Sequence, residues 1–449
     1  MADLYSEPRR TQARSQFKEG TVYYRTKHRD PETGRITTIW TMQERRRILD
    51  TGKKFNPEHS LRHDDQQRQD RIARSIPDQG LRRITDVALP RGKPLEPRGI
   101  MNPGVYCYQN SVYQTLMHTP MFLKWIDTHV RVDKCRAKKG VRPPCVRCNI
   151  RGLAVNYWSP DEERSDPLSR SNPYIKNIRQ AAWSRFDKSA HEDASEFYNW
   201  IVEVLDDEED ERWHEEWIAL YSMSFREYYE CRRCGAQRPG SIDSPEFSLE
   251  IGVRGVDTVD EAIKRHLGPD KVSVYCDSRQ CRKVRGGTAH DRHKQITAGP
   301  RILRVTLKIT EYQSEGYKIK KRFELAENLD LTDFQVVHGV PLRYKLASVI
   351  SHQGKTLGSG HYVASVRSFY ASRHQFYNIN DGEMQGLHRS EFLSNPQIPR
   401  YFEEGPGFQV YTLTYLMDER PLDNIRKSSK NAAPEIPNIR ARYARLDRS

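Results

Sequence analysis

No stretch of roughly eighteen apolar residues occurs anywhere in the chain, so no membrane-crossing helix is predicted. The opening residues, MADLYSEPRR, lack the apolar core of a secretory signal, and a protein of the nucleus or cytoplasm with no membrane partner is expected. Cysteine is scarce, 8 in 449 residues, which excludes a disulfide-stapled scaffold. Four of the eight fall in C-x2-C pairs, a spacing suited to metal binding in a reducing compartment. No internal repeat is detectable, and no dense basic patch is present despite a net charge of +14.

That charge is unevenly spread. Residues 1–98 carry 22 Lys+Arg against 14 Asp+Glu, and residues 418–449 carry 8 against 5, which leaves 99–417 close to neutral. The first 98 residues are rich in Arg, Gln, Asp and Pro, with apolar clusters only around Ile36–Trp40 and Leu81–Leu89, and read as a mostly disordered basic extension. Pro90, Pro94 and Pro97 mark a boundary before Gly99. At the far end, Val410–Leu416 alternates like a last strand before a polar, proline-interrupted tail at 418–449. One folded unit over 99–417 is expected.

Within that unit, NPGVYCYQNS holds Cys107 between two tyrosines. The apolar spacing of Val112, Leu116, Phe122 and Leu123 predicts a helix starting at or just after it. A thiol at a helix N-terminus is expected to have its pKa lowered by the free N–H groups and the dipole. Asn102, in a Pro-Gly turn, is placed to aim its amide at an oxyanion beside the sulfur, an interaction worth about 3 kcal/mol in a transition state. A buried packing residue and a zinc ligand are the other two readings of Cys107.

A nucleophilic cysteine needs a base. Residues 344–366 read as strand, glycine-bearing loop, strand, with His361 opening the second strand and His352 as a competitor. The stretch FYNINDGEM then runs as a short strand, Phe376–Ile379, into Asn380 and Asp381, either of which can hydrogen-bond the far nitrogen of an imidazole.

Taken together, these blocks resemble those of the ubiquitin-specific proteases. RGIMNPGVYCYQNSVYQTL resembles the cysteine box of that family, and GHYVASVR with FYNINDGEM its histidine box. HEDASEFYNWIVEVL, PRILRVTLKITEYQSEGYKIKKRFELAENLDL and YKLASVISHQG match three intervening blocks in order. The resemblance implies an α+β, papain-like cysteine protease with thumb, palm and zinc-ribbon fingers. It makes Cys107 the nucleophile, His361 the general base and then acid, Asn380 the orienting residue with Asp381 its alternate, Asn102 the oxyanion donor and Asp193 a holder of the ubiquitin tail. The implied partners are ubiquitin and ubiquitinated proteins, and the implied reaction is hydrolysis of the isopeptide bond between the ubiquitin C-terminal glycine and a substrate lysine, through a Cys107 thioester. The chain departs from the family at Val105-Tyr106, where a small polar pair is usual, at His191-Glu192 in place of Gln-Gln, and at Phe376 in place of Trp. Without the family context Asp193 and Glu196 read as a solvated helix face.

Cys231-x2-Cys234 and Cys276-x4-Cys281 form two paired hooks, a pattern that suits one structural zinc in an insert spanning about 225–300. Cys145-x2-Cys148, with His129 and Cys135 upstream, is a second candidate metal set. The acid run Asp206–Glu211 reads as a solvated helix end. Two other functions remain open: a catalytically silent ubiquitin-binding scaffold, and a zinc-ribbon binder of nucleic acid or another acidic partner through its basic extensions.

Overall fold

The structure is a computed structural model. It describes two strands near the start of the chain and then residues 96–418, except 130–134, 136–144, 159–166, 208–209, 243–245, 282–286, 312–316, 319–322, 336–340, 358, 369–374 and 394–406. The two early strands, β1 (Thr21–Arg29) and β2 (Ile36–Glu44), pair antiparallel with Thr21 opposite Glu44 and Arg29 opposite Ile36. They lie within residues 1–98, expected from composition to be a mostly disordered extension. Both are rich in β-branched and aromatic residues, which favour extended backbone, and a Pro- and Gly-bearing segment joins them. The rest of 1–95 and the tail after 418 lie outside the described residues.

The helical part follows Gly99. It comprises α1 (Cys107–Met117), α2 (Pro120–Asp127), α3 (Val146–Tyr157), α4 (Pro173–Ala182), α5 (Ala194–Leu205) and α6 (Glu211–Tyr221). Starts are set locally: Asn172 caps α4 through Tyr174 and Ile175 N–H, with Pro173 opening the helix, and Asp193 caps α5 through Ser195 and Glu196 N–H. Every residue of α1 is buried, polar ones included, so the helix lies inside the protein rather than on it. Several of its polar groups are satisfied internally, as where Gln114 donates to the Arg98 carbonyl at 2.8 Å and accepts from the Tyr157 hydroxyl at 2.7 Å.

Next comes a four-stranded antiparallel sheet in the order β4-β3-β7-β6, formed by β3 (Ser224–Cys231), β4 (Gln237–Ile242), β6 (Asp270–Val274) and β7 (Thr288–Ala298). Between β4 and β6 run β5 (Leu249–Gly252) and α7 (Val259–Leu267), the latter capped by Thr258. The larger sheet holds β8 (Ile302–Lys308), β11 (Asn328–Asp330), β12 (Arg343–Thr356), β13 (Ser359–Arg367), β14 (Phe376–Asn380), β15 (Glu383–Leu387) and β16 (Gln409–Met417). Its order is β15-β14-β13-β12-β16-β8-β5, with β11 against β12, and only β5 and β8 run parallel. A short pair, β9 (Thr310–Glu311) with β10 (Tyr317–Lys318), a 3-10 turn at Thr332–Phe334 and α8 (Arg389–Leu393) complete the described elements. The architecture is thus mixed helix and sheet, as expected. The buried core runs from α1 and α5 into β12, β13 and β16, with Tyr108, Phe186 and Phe197 meeting edge to face or tilted at 5.5–6.3 Å.

His118, at the end of α1, is a buried core residue. Its Nδ1 lies 2.8 Å from the Gln114 carbonyl, its ring meets Tyr157 and Trp158 edge-on, and Nε2 has no hydrogen-bond partner among the described residues. Burial lowers its pKa from 6.5 to about 4. A folded-state pKa below the unfolded one means that the unfolded chain takes up the proton first, so stability is complete above about 6.5 and lost as pH falls toward 4. The expected loss from this group between pH 7 and pH 5 is about 2 kcal/mol. Urea unfolding at the two pH values checks it: the pH 5 loss should shrink in His118→Phe, and an equal loss in both proteins would refute the assignment.

Candidate active site

The mouth of the site is the start of α1. Asn102 Oδ1 accepts from the N–H groups of Gly104 at 2.9 Å and Tyr106 at 3.2 Å, which folds the Pro-Gly turn back on itself and delivers Cys107 as the first helical residue. Cys107 is only 1 % exposed. The helix start packs against the opening of β13, where the backbone N–H of Tyr362, the residue after His361, favours the charged form of the sulfur. The expectation of a lowered thiol pKa is overturned. Burial pushes the Cys107 thiol up to about 11, the Asp381 carboxylate adds to the rise, and the N–H groups of Tyr362, Tyr108 and Cys107 itself oppose it without prevailing. Removal of the sulfur from water outweighs the helix N-terminus.

His361 Nε2 lies 2.6 Å from Asn380 Oδ1. An amide oxygen only accepts, so Nε2 carries the proton and Nδ1 holds the free lone pair. Asp381 is 4.0 Å from the same nitrogen and is not the near partner. Gly360 has φ +142°, and a Cβ there would stand 1.9 Å from the Gln353 carbonyl, so the backbone leading into His361 requires glycine. His352, the competitor, is fully buried against Tyr362 and faces the core.

Asp381 has another task. It is the one non-glycine residue with positive φ among the described residues, +49°. Its Oδ2 accepts from Asn102 Nδ2 at 2.9 Å, its Oδ1 from Asn110 Nδ2 at 2.8 Å, and its carbonyl from Ile100 N–H at 2.7 Å. Asn102 is therefore held by both ends of its amide, with one N–H remaining. Asn110 and Tyr362 N–H escaped the reading of the sequence. A polar residue inside a wholly buried helix is the signal that marks Asn110.

Asp193 is half-buried rather than part of a solvated face, because it caps α5 and accepts from the Tyr411 hydroxyl at 2.7 Å. Burial raises its pKa, and the Tyr411 hydroxyl, the two capping N–H groups and the buried Arg304 guanidinium pull the other way. Glu196 stays exposed. Tyr106 donates its hydroxyl to the Lys188 carbonyl at 3.0 Å, and the Arg179 guanidinium lies 4.2 Å over its ring. The acid run is engaged rather than merely solvated: Asp206 pairs with His214 at 2.7 Å, Asp207 with Arg147, and Asp210 caps α6.

All eight cysteines are free of disulfides, and seven fall in two sets. The ligand atoms of Cys231, Cys234, Cys276 and Cys281 lie within 4.8 Å of one another, as do those of His129, Cys135, Cys145 and Cys148. In the first set Cys231 and Cys281 are 3.8 Å apart at sulfur, and Cys234 and Cys276 3.6 Å. Four thiolates about 2.3 Å from one zinc have a tetrahedral edge of about 3.8 Å. In the second set His129 Nε2 is 3.6 Å from Cys135 and 3.7 Å from Cys145 at sulfur, against about 3.6 Å for a mixed nitrogen and sulfur edge.

The family model for ubiquitin carboxyl-terminal hydrolases matches residues 98–415. The chain belongs to the ubiquitin-specific proteases. It is 23 % identical over 303 residues to ubiquitin carboxyl-terminal hydrolase 17-like protein B of Mus musculus, covering 63 % of this chain and 58 % of that protein. It is 25 % identical over 357 residues to ubiquitin carboxyl-terminal hydrolase 15 of Arabidopsis thaliana, covering 76 % of this chain and 36 % of that one. The ubiquitin-specific protease thus spans little more than half, or less, of these relatives' lengths. In fold it resembles a chain of the SAGA Ubp8/Sgf11/Sus1/Sgf73 DUB module bound to ubiquitin aldehyde, with TM-score 0.57 and 16 % identity over 75 % of this chain and 74 % of that one. Among the described residues no helix of this family member is long and apolar enough to cross a membrane.

Proposed function

We propose that this protein is a thiol-dependent deubiquitinase that hydrolyses the isopeptide bond between the ubiquitin C-terminal glycine and a substrate lysine. The observation that carries the reading is the 2.6 Å contact of His361 Nε2 with Asn380 Oδ1, on strands packed against the helix that Cys107 opens. In this scheme the Cys107 proton passes to His361 Nδ1 as the sulfur bonds the glycine carbonyl carbon. The carbonyl electron pair moves onto oxygen, where the free N–H of Asn102 and the helix N-terminus receive it. Collapse expels the lysine amine with the proton from His361, and water, deprotonated by His361, then releases ubiquitin from the thioester. Because the resting thiol is raised to about 11, proton transfer to His361 accompanies attack and little thiolate stands ready beforehand. Asp193, capping α5, supplies a carboxylate for a basic residue of the ubiquitin tail.

Zinc fits both cysteine sets by donor type and by spacing: Cys231, Cys234, Cys276 and Cys281 hold one ion, and His129, Cys135, Cys145 and Cys148 hold a second. When bound, each ion ties loops together and takes no part in the reaction. Reduced, metal-suited cysteines support work in the nucleus or cytoplasm. The silent-scaffold alternative draws on the 1 % exposure of Cys107.

A ubiquitin carrying a C-terminal electrophile separates the two. The expected result is a covalent adduct that disappears in Cys107→Ala. Tight binding without an adduct, together with no hydrolysis of a ubiquitin conjugate, sinks the enzyme reading in favour of the scaffold.

A further inference from the structure

Arg179, on α4, is 5 % exposed and forms no ion pair among the described residues. Its Nε donates to Gln109 Oε1 at 3.1 Å and its Nη2 to Asn110 Oδ1 at 3.2 Å, while the guanidinium covers the Tyr106 ring. Burying a cation is costly, so its placement behind the first turn of α1 calls for a reason. Asn110 provides one. Its carbonyl oxygen faces the guanidinium, and its NH2 faces the Asp381 carboxylate and the Ile100 carbonyl, at 2.8 and 3.1 Å. Turning this amide over would set NH2 against a cation and oxygen against an anion, so the two charges lock its orientation.

From this arrangement we propose that Arg179 is a positioning residue for catalysis, acting through Asn110 and Asp381 on the Asn102 amide and on the Asn380 turn that holds His361. Asp381 sits in left-handed backbone directly after Asn380, and it is clamped by Asn110, Asn102 and Ile100. Loosening the Asn110 clamp frees both the oxyanion donor and the residue that sets the His361 tautomer. Gln109, the other acceptor, donates to the Tyr108 hydroxyl and touches neither. The inference rests on the deubiquitinase reading for its turnover test, but not for its thiol test.

The test uses the full chain with Arg179→Met, Arg179→Lys and Gln109→Leu, each checked by thermal unfolding. On ubiquitin bearing a C-terminal fluorogenic amide, both Arg179 variants are expected to lose about 10- to 100-fold in kcat with KM within about threefold, since small misplacements of reacting groups cost that much. Lysine should not rescue, because an ammonium lacks the planar fork and the stacking face. Gln109→Leu should stay within about twofold of wild type, and ubiquitin affinity on a Cys107→Ala background should be unchanged in all three. A kcat within threefold of wild type in Arg179→Met, a parallel loss in Gln109→Leu, a loss confined to KM, or failure of both Arg179 variants to fold would each overturn the proposal.

Inactivity of the wild-type protein would instead sink the deubiquitinase reading, and the Arg179 proposal then answers to alkylation of Cys107 by iodoacetamide, read by mass spectrometry at pH 9. Asp381 and the Tyr362 hydroxyl are the ionisable groups that act on the sulfur from the sheet side, His361 precedes Tyr362, and Arg179 reaches Asp381 through Asn110. With the cation gone, Asp381 is left uncompensated, and alkylation is expected to slow about fivefold in Arg179→Met. A rate within twofold of wild type overturns the proposal.

Discussion

Replacing His361 by Ala is expected to lower kcat/KM on a ubiquitin amide by about a thousandfold or more, with ubiquitin affinity retained. The size follows from the state of the thiol. Burial and Asp381 hold Cys107 near 11, so at neutral pH attack depends on a base to take the proton as the bond forms. In the proposed scheme the same histidine protonates the leaving amine, so its removal is expected to cost both steps. Asn380→Ala should lose less, about 10- to 100-fold, because it frees the imidazole tautomer without removing the base. Asp381→Asn tests a different role: at 4.0 Å from His361 it is too far to orient the ring, and its loss should act through Asn102 and Asn110. Steady-state kinetics with the fluorogenic substrate decide the matter. A His361→Ala enzyme within tenfold of wild type would remove His361 from the mechanism.

Loss of zinc from the Cys231 set is expected to release the tip of the four-stranded sheet. Cys231 ends β3, its N–H bonds the Ala236 carbonyl at 3.0 Å, and the next residue, Arg232, bonds the Ala289 carbonyl on β7 at 3.0 Å. The tip has little apolar core of its own beyond the buried sulfurs. Metal binding in such sites contributes on the order of 10 kcal/mol to local folding. Metal analysis of the purified protein should give about two zinc ions per chain. Cys231→Ser should hold one, become sensitive to proteolysis between 225 and 300, and lose ubiquitin affinity while residues of the larger sheet stay protected. Full metal content and unchanged protease resistance in Cys231→Ser would refute the site.

Much of this was legible before any fold was known. The helix at Cys107, the strand opening at His361, the short strand into Asn380 and the final strand at Gln409–Met417 all follow from local periodicity and glycine placement. Both candidate metal-ligand sets are marked by cysteine spacing, and the fold brings His129 and Cys135 to the Cys145 pair. The pairing of Thr21–Arg29 with Ile36–Glu44 is hard to see in the sequence because the charged composition of residues 1–98 dominates two short runs of strand-forming residues. The half-burial of Asp193 was not legible, because its capping bonds are local but the Tyr411 hydroxyl that meets it comes from the other end of the chain.

Residue order along the chain, through its resemblance to a known family, was enough to single out Cys107, His361 and either Asn380 or Asp381 as one candidate set. The burial that raises the Cys107 thiol, the contact of His361 with Asn380 rather than Asp381, and the surroundings of Arg179 appear only in the tertiary packing. Each depends on desolvation and on distances between residues far apart in sequence, and neither quantity exists until the chain has folded.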